Sequence, residues 1–399
     1  MLNKLKNYDY TLMITPILLS VFGIVMVYSA SMVTAVVSGL DSTYYLFKQI
    51  QWFGLGMIGF VICSIIPYQL YQKYIKLIVL ISVALLVLVL FFGYEANNAA
   101  RSLVIAGFSI QPSEFVKLSL ILYLASAYSK KQAYINEFGR GVLPPLVLMA
   151  IILGLIIKQP DIGTASIIFL ITLTIIICSG VRFKHMFALL SVGVVFLIFL
   201  LPSFITETRI ARITGAYQPF AAPEAGGYHL IQSYIAIGVG GFTGEGLGQS
   251  IQKLGYLWGA HTDFIMSIIA EELGLIGVII VIGLLATIVL RGLFISRKCK
   301  DSFGALLALG IASMVGIQSF INLGAISGIL PITGVTLPFI SYGGSSLLVL
   351  LISMGILNNI AKSVKQVDEN HPVQSPKPKN VKKISSVQNR GGRRWQRQS

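Results

Sequence analysis

Asp263 is the residue whose type and position are best suited to acid–base chemistry. It follows His261 and Thr262 and lies at the end of a polar stretch, Gly226–Phe264, which contains ten glycines and leads into an apolar run. A carboxylate at such a low-dielectric boundary can have its pKa raised toward that of a general base. An aspartate just before a helix is also typical of an N-cap, which accepts a hydrogen bond from a backbone N–H. Spacing alone favours the N-cap, and the general base stays open as the second interpretation.

The rest of the stretch argues against metal and nucleotide chemistry. His261 has no partner in an H-E-x-x-H or H-x-x-E-H motif, and the three cysteines have no paired spacing. The glycines between Gly238 and Gly248 do not form G-x-G-x-x-G, and there is no P-loop motif, which argues against an ATP-driven pump. Glycines at this density instead allow a backbone to approach another backbone or a ligand closely, as in a re-entrant segment that lines a cavity.

Opposite charges three residues apart occur twice at the edges of apolar runs. Glu114 and Lys117 form one pair, and Lys158 and Asp161 form the other. Residues at this spacing share one face of a helix. Because unpaired charges inside a membrane are costly, a structural ion pair is the favoured interpretation for Glu114 and Lys117. For Lys158 and Asp161 a structural and a functional role are equally supported.

Composition indicates an integral membrane protein. Hydrophobic residues make up 55% of the 399 positions, charged residues make up 11%, and the mean hydropathy is +0.81. A soluble domain carries about 25% charged residues. The net charge of +15 is compatible with nucleic-acid binding, but Lys and Arg cluster beside apolar runs, which the positive-inside rule explains better. We therefore expect a membrane protein with no nucleic-acid partner.

Ten apolar runs predict membrane helices, so the expected fold is an all-α polytopic membrane protein. An even number of spans places both termini on one side, and the loops richest in Lys and Arg share that side, which makes it cytoplasmic. The stretch Gly226–Phe264 then faces outward, in a large loop between the seventh and eighth spans. The predicted spans are 11–34, 48–66, 76–94, 113–128, 143–158, 161–180, 186–202, 264–290, 303–328 and 345–362.

Several basic residues fall on the predicted outer side, where topology does not account for them. A glycine-rich cavity lined with such cations suits an anionic ligand such as a pyrophosphate. The basic tail, 363–399, is poor in apolar residues, so we predict that it is disordered. It is either simply solvated or attached to the anionic inner leaflet or to a partner. The outer basic residues are Lys48, Arg101, Lys117, Lys158, Arg209, Arg212 and Lys253.

Long segments, in the same order, resemble the SEDS family (shape, elongation, division and sporulation) of membrane glycosyltransferases, which polymerise peptidoglycan from lipid II. The resemblance covers nearly everything from Tyr28 to Asn359. It is strongest with the division-type members of Gram-positive rods, and the elongation type is the near alternative. The segments that carry it are QPSEFVK, KQPDIGTA, GYHLIQSYIAIGVGG, GLGQSIQK, HTDFIMSIIAEELG, FISRKCKDSFGALLALGI and INLGAISGILPITGVTLPFISYGGSSL.

The resemblance implies a ten-helix membrane domain over 1–362 with the large extracellular loop at 203–263. It shifts the interpretation of Asp263 from N-cap to catalytic residue, because the aspartate of the HTDF motif is taken as essential in the family. The implied reaction is an inverting transfer in which the 4-hydroxyl of GlcNAc attacks C1 of a MurNAc that carries undecaprenyl pyrophosphate. Asp263 would take the hydroxyl proton, and a Glu114–Lys117 ion pair would support the cavity. Candidates for binding the substrate are Arg101, Lys158, Asp161, Arg209, Arg212, Lys253 and His261.

The resemblance further implies an outward-facing site in the bacterial cytoplasmic membrane, at the division septum. Expected partners are lipid II, the nascent glycan strand, a class B penicillin-binding protein acting as transpeptidase, and other division proteins. No resident cofactor is expected, and assistance by a divalent cation, Mg²⁺ or Mn²⁺, stays open. Two other functions fit parts of the sequence: a lipid II flippase, suggested by the spans and buried charges, and a non-catalytic division scaffold that acts through helix contacts and the basic tail.

Overall fold

The computed structural model describes residues 7–96, 99–105, 107–135, 137–182, 184, 211, 214–221, 223 and 227–370. Most of the described chain is helical, with one small sheet between the fourth and fifth helices. The helices are α1 (Tyr10–Val37), α2 (Tyr44–Ile65), α3 (Gln69–Lys73), α4 (Ile75–Phe92), α5 (Pro112–Lys130), α6 (Leu143–Lys158), α7 (Ile162–Cys178), α8 (Tyr228–Gly240), α9 (Ile265–Lys298), α10 (Ser302–Ile326) and α11 (Gly344–Asn370).

Within the described residues, seven helical stretches are long and apolar enough to cross a membrane: α1, α2, α4, α6 with its preceding turn, α9, α10 and α11. The protein is therefore a multi-pass membrane protein. The predicted spans 113–128 and 161–180 also form helices, α5 and α7. α7 has only 17 residues, and α5 is mostly buried and carries Glu114 and Lys117. The predicted span 186–202 lies outside the described residues.

A three-stranded antiparallel sheet corrects the all-α prediction. Its strands are β1 (Tyr94–Ala96), β2 (Ala99–Ile105) and β3 (Phe108–Ile110), paired in the order β1-β2-β3. Gly107, in the turn between β2 and β3, has a φ of +79°, which glycine adopts without steric cost. The strands are too short to show a clear alternation of apolar and polar residues, so the sequence alone does not reveal their pairing.

The helices α10 and α11 lie at the centre of the bundle, since most of their residues are buried. α2 packs along α11, and Gly355 permits the contact, because a Cβ there would lie 2.5 Å from the carbonyl oxygen of Phe60. α4, by contrast, exposes Leu77, Leu80 and Phe91, as expected for a peripheral helix that faces lipid. The surfaces that are shielded from lipid and can hold a polar site therefore lie on α10, α11 and the segments that contact them.

The residues before α1 meet the ends of later helices at one end of the bundle. Asp9 caps α1, and its Oδ2 lies 2.7 Å from Nε of Arg291 near the end of α9. The N–H of Asp9 donates to Oδ1 of Asn358 in α11 at 2.9 Å. Tyr68, after α2, donates its hydroxyl to Asp301, the N-cap of α10, at 3.0 Å. The beginning of the chain and the end of α11 therefore lie at the same end of the bundle.

The structure also corrects the predicted start of the tail. α11 continues to Asn370, beyond the expected boundary at Lys362. Lys362 Nζ donates to Tyr8 Oη at 3.1 Å, and Lys365 Nζ donates to the carbonyl oxygen of Tyr8 at 2.8 Å. These contacts with the beginning of the chain stabilise the additional helical turns. Residues 371–399, the remainder of the predicted tail, lie outside the described residues.

Candidate active site

The candidate site is organised by a break in α9. Gly274 has φ +64° and ψ −162°, so the helix consists of a short segment that ends at Leu273 and a longer one that begins at Leu275. This φ favours glycine, and a Cβ at the position would lie 2.5 Å from the backbone nitrogen of Gly244. The break interrupts the hydrogen bonds of a helix that crosses the membrane, so these backbone groups need new partners.

The glycine-rich segment that follows α8, residues 241–246, supplies those partners. Its N–H groups donate to the last carbonyls before the break, and its carbonyls accept from the first N–H groups after it. The expected close approach of two backbones is therefore present. The four bonds are Glu245 N to Glu271 O (2.9 Å), Gly246 N to Glu272 O (3.0 Å), Leu275 N to Gly241 O (3.0 Å) and Ile276 N to Phe242 O (3.3 Å).

Two buried carboxylates before the break hold the same part of the chain through their side chains. Glu272 Oε1 lies 2.7 Å from Lys253 Nζ. Ser29 of α1 donates its hydroxyl to Glu272 at 2.7 Å and accepts from Lys253 Nζ at 3.0 Å. The neighbouring Glu271 accepts from the hydroxyl of Ser250. The segment between α8 and α9 is thus attached to both α1 and α9 by buried polar contacts.

These contacts favour a different role for Lys253 from the one that the sequence predicted. We expected its ammonium to bind a pyrophosphate. Both Lys253 and Glu272 are buried, and a buried carboxylate needs a cation close to it. The Lys253 ammonium is therefore placed to neutralise Glu272 and to fix the segment, which is a structural role.

Asp263 lies in a tight turn directly before α9. The N-cap of the helix is Phe264, which makes no side-chain cap hydrogen bond, so Asp263 does not occupy the N-cap position. The carbonyl of Gly259 accepts from Thr262 N at 2.9 Å and from Phe264 N at 3.1 Å. Thr262 donates its hydroxyl to Asp263 Oδ1 at 2.8 Å. The turn therefore presents the partly exposed Asp263 carboxylate at the start of a buried helix.

Two other segments fix this turn from outside. The buried Asn322 of α10 donates from Nδ2 to the carbonyl oxygen of Asp263 at 2.8 Å and to that of Val335 at 2.7 Å. Ser341, in the connection between α10 and α11, donates its hydroxyl to the carbonyl oxygen of Thr262 at 2.6 Å. Tyr342 N donates to the carbonyl oxygen of His261 at 2.9 Å. Neither Asn322 nor Ser341 was predicted as a site residue.

Both described histidines of the stretch lie close to this turn. The His261 ring packs against Tyr45 and Tyr342, with ring centroids 4.7 and 5.8 Å away, and burial lowers the pKa of His261 to about 4. The ring of His229, on α8, packs against Phe264 at 6.3 Å. Burial lowers the pKa of His229, while the nearby charge of Asp263 acts in the opposite direction. Both rings are therefore neutral at pH 7, and His229 is a further titratable group beside Asp263.

A cavity of about 370 Å³ lies next to the turn. Val335 and Tyr342, which contact Asn322 and His261 respectively, form part of its wall, whereas Asp263 does not line it. The charged residues in the wall include both signs, so the cavity is polar but not simply cationic. They are Lys48, Arg101, Glu114, Lys117 and Asp161.

The Glu114–Lys117 ion pair forms at the expected spacing. Lys117 Nζ lies 2.9 Å from Glu114 Oε2, and both side chains are buried. Lys117 Nζ also donates to Oε1 of Gln318 on α10 at 3.2 Å, and Gln318 donates to the carbonyl oxygen of Thr336 at 3.1 Å. All four residues line the cavity. The pair therefore supports the cavity wall and contributes little net charge to it.

Arg101 also lines the cavity, and it holds the turn between α6 and α7. Its guanidinium donates to the carbonyl oxygens of Gln159 and Pro160. Asp161 caps α7: it accepts from Thr164 N at 3.3 Å and from the Thr164 hydroxyl at 2.8 Å. Lys158 is exposed, and no ion pair joins it to Asp161, because the carboxylate is turned into the cap. The structure thus brings Arg101 and Asp161 into the cavity and leaves Lys158 outside it.

Arg209 and Arg212, two further predicted pyrophosphate ligands, lie outside the described residues. Among the residues that the structure does describe, no group of three or more His, Cys, Asp and Glu side chains is arranged to hold a metal ion. The half-buried Lys48, which the sequence placed on the outer side without a specific role, lines the cavity and donates to the carbonyl oxygen of Gly107 at 3.0 Å.

Fold and site together define a multi-pass membrane protein whose polar site is built between its helices. A family model described as a cell cycle protein, FtsW/RodA/SpoVE, matches residues 10–366. The chain is 50% identical over 394 residues to the probable peptidoglycan glycosyltransferase FtsW of Bacillus subtilis, covering 96% of this chain and 98% of the relative. The chain therefore belongs to the FtsW/RodA/SpoVE family, which is the SEDS family that its sequence resembles.

Solved structures agree with this assignment. A chain of a peptidoglycan synthase complex, described in terms of the coordination of polymerization and crosslinking, has a TM-score of 0.74 at 27% identity, covering 90% of this chain and 99% of that one. The rod shape determining protein RodA of Thermus thermophilus has a TM-score of 0.66 at 26% identity, covering 89% of this chain and 97% of that one. The fold is therefore shared with both the synthase complex and RodA.

Proposed function

We propose that this protein is a peptidoglycan glycosyltransferase that polymerises lipid II into glycan strands during septal cell-wall synthesis. The relative with 50% identity over nearly the full length bears the name of that activity. The structural observation that carries the proposal is the fixed position of Asp263, whose turn is held by α10 and by the connection before α11 beside a charged cavity.

Asp263 acts as the general base in the proposed mechanism. Its carboxylate takes the proton from the 4-hydroxyl of the acceptor GlcNAc as O4 forms a bond to C1 of the donor MurNAc. The bond between C1 and the pyrophosphate oxygen breaks with inversion at C1, and undecaprenyl pyrophosphate leaves. The proton on Asp263 then passes to water.

The cavity is the proposed place for the pyrophosphate. Arg101 and Lys48 supply cationic hydrogen-bond donors that offset the negative charge developing on the leaving group. Lys117 contributes less, because Glu114 neutralises it. Among the described residues no set of side chains forms a metal site, so a divalent cation, if the reaction uses one, would be held mainly by the pyrophosphate of the substrate and would offset its charge.

The site faces outward in this proposal, and the septum is its place of action. Arg291, Arg297 and Lys298 lie at the end of α9 opposite Asp263, and the positive-inside rule makes that end cytoplasmic. Ten spans, the large loop at 203–263 and cytoplasmic termini complete the proposed topology. The proposed partners are lipid II, the growing strand, other division proteins and a class B penicillin-binding protein, in keeping with a structural relative taken from a peptidoglycan synthase complex.

Polymerisation of lipid II by the purified protein together with its class B penicillin-binding protein tests this function. Wild-type protein is expected to form glycan strands, whereas Asp263→Asn and Asp263→Ala are expected to form none. Asp41→Asn is the matched control, since Asp41 is an exposed aspartate outside the site. Normal polymerisation by Asp263→Asn would show that this carboxylate is not the base.

The same proteins distinguish the alternatives. In proteoliposomes, a flippase would move fluorescent lipid II between leaflets without making polymer. A scaffold would tolerate Asp263→Ala and lose its function when 371–399 is removed. An elongation polymerase would make the same polymer, and its depletion would change cell width and length rather than septation.

A further inference from the structure

Asn322 joins the turn that carries Asp263 to the wall of the cavity. It is 1% exposed and lies in the last turns of α10. The Nδ2 group donates to the carbonyl oxygen of Asp263 at 2.8 Å and to that of Val335 at 2.7 Å. Since Val335 lines the cavity, one amide group spans the two parts of the proposed site.

Gln318, one helical turn earlier, makes a parallel set of contacts. Its Oε1 accepts from Lys117 Nζ at 3.2 Å, and its Nε2 donates to the carbonyl oxygen of Thr336 at 3.1 Å. Residues four apart lie on the same face of a helix. This face of α10 therefore connects the Glu114–Lys117 pair, the cavity wall and the turn at Asp263 through two buried amides.

Ser341 and Tyr342 also hold the turn, but they contact the carbonyl oxygens of Thr262 and His261 rather than that of Asp263. Thr262 donates to Asp263 Oδ1, but it is the preceding residue and moves with the turn. The contact from Asn322 comes from a central helix and reaches the backbone of Asp263 itself. A displacement of about 1 Å between reacting groups can cost about 100-fold in rate.

We propose that Asn322 is a positioning residue, which sets the distance between the Asp263 carboxylate and the lipid-linked pyrophosphate in the cavity. The inference rests on the proposed function, because it concerns the reaction that Asp263 performs. Loss of the amide leaves the cations of the cavity in place but removes the contacts that tie the backbone of Asp263 to the cavity wall at Val335. The rate of the chemical step therefore falls, while affinity for the lipid-linked substrate is retained.

Asn322→Ala and Asn322→Ser test this role in the full-length protein with its penicillin-binding partner. Polymerisation rates are measured over a range of lipid II concentrations and divided by the folded fraction. The expected result is a kcat lower by about 10–100-fold with KM for lipid II nearly unchanged. The matched control is Asn359→Ala, because Asn359 is also buried and bridges Ser64 O and Tyr68 N at the other end of the bundle.

Asn359→Ala is expected to lower thermal stability as much as Asn322→Ala and to keep the wild-type kcat. Equal kcat losses in the two variants, or a wild-type kcat in both Asn322 variants, would overturn the positioning role. A higher KM at unchanged kcat would also overturn it. Asp263→Asn is measured in parallel and separates the proposed function from the positioning role. If Asp263→Asn polymerises lipid II, Asp263 is not the general base. If Asp263→Asn is inactive and both Asn322 variants keep the wild-type kcat, only the positioning role is refuted.

Discussion

Lys253 and Glu272 form an ion pair with an Nζ–Oε1 distance of 2.7 Å, in which the two side chains are only 2% and 0% exposed. One partner belongs to the segment before Asp263, and the other lies just before the break in α9. Because Ser29 of α1 contacts both, the pair connects three parts of the chain. The position of the candidate base therefore depends on charges that make no contact with the cavity.

Replacement of Lys253 by Met is expected to destabilise the protein strongly, because it leaves the Glu272 carboxylate buried without a counter-charge. The cost of breaking such a pair is about 3–5 kcal/mol. Thermal unfolding of the purified protein in detergent measures it. Arg140→Ala is the control, since its pair with Glu137 is exposed and contributes at most about 1 kcal/mol. Similar unfolding temperatures for the two variants would contradict the structural role of Lys253.

Gly259→Ala is expected to abolish polymerisation while the protein remains folded. A Cβ at Gly259 would lie 2.5 Å from Asp263 Oδ1, so the carboxylate would have to move. Gly259 also has a φ of +73°, which makes any side chain there strained. Gly255→Ala carries the same kind of strain, at φ +113°, but meets no atom within 4 Å. It should therefore retain most of its activity, and equal losses in both variants would mean that strain alone is responsible.

His261 is expected to make the folded state less stable in acid. Burial lowers its pKa from 6.5 to about 4, so between these values the unfolded chain binds more protons than the folded one. Stability therefore falls as pH drops from about 6.5 to 4, by about 2–3 kcal/mol at 1.36 kcal/mol per pKa unit. His261→Phe, which keeps a ring between Tyr45 and Tyr342, should lose less stability over this range. Parallel stability curves for the two proteins between pH 7.5 and 4.5 would contradict the assignment.

Arg101→Ala is expected to impair activity far more than Lys158→Ala. Arg101 lines the cavity and holds the carbonyls of the turn between α6 and α7, whereas Lys158 is exposed and lies outside the cavity. Removal of one charged donor from a site that stabilises an oxyanion costs about 100–1000-fold in rate. Polymerisation by the two variants at equal folded protein concentration provides the comparison. An equal loss in both would place the pyrophosphate outside this cavity.

The spacing of charged residues in the sequence predicted an ion pair correctly where both partners lie on one helix. Glu114 and Lys117 are three residues apart, and their ion pair forms as the spacing predicts. The apolar runs also located the helices, because membrane spans have a strong compositional signal. Lys158 and Asp161 have the same spacing but do not pair, since α6 ends at Lys158 and Asp161 caps the next helix, α7.

Contacts between residues far apart in the sequence could not be predicted from residue spacing or composition. Asn322 lies 59 residues from Asp263, and nothing in its surroundings marks it as a hydrogen-bond donor to that turn. Lys253 looked like a ligand because topology left it unexplained, and only the folded chain places Glu272 beside it. The resemblance to the family selected Asp263, but the contacts that hold it required the structure.

The break at Gly274 has a mechanical consequence. After the break, Leu275–Lys298 continues as an uninterrupted helix of about 36 Å at 1.5 Å per residue, which is enough to cross the hydrocarbon layer alone. The short segment before the break, which follows Asp263, is held to α1 through Glu272 and Ser29, and the Asp263 turn is held to α10 through Asn322. We therefore expect a change in bilayer thickness to be accommodated by a tilt of Leu275–Lys298 about Gly274, while the Asp263 turn keeps its contacts with the rest of the protein.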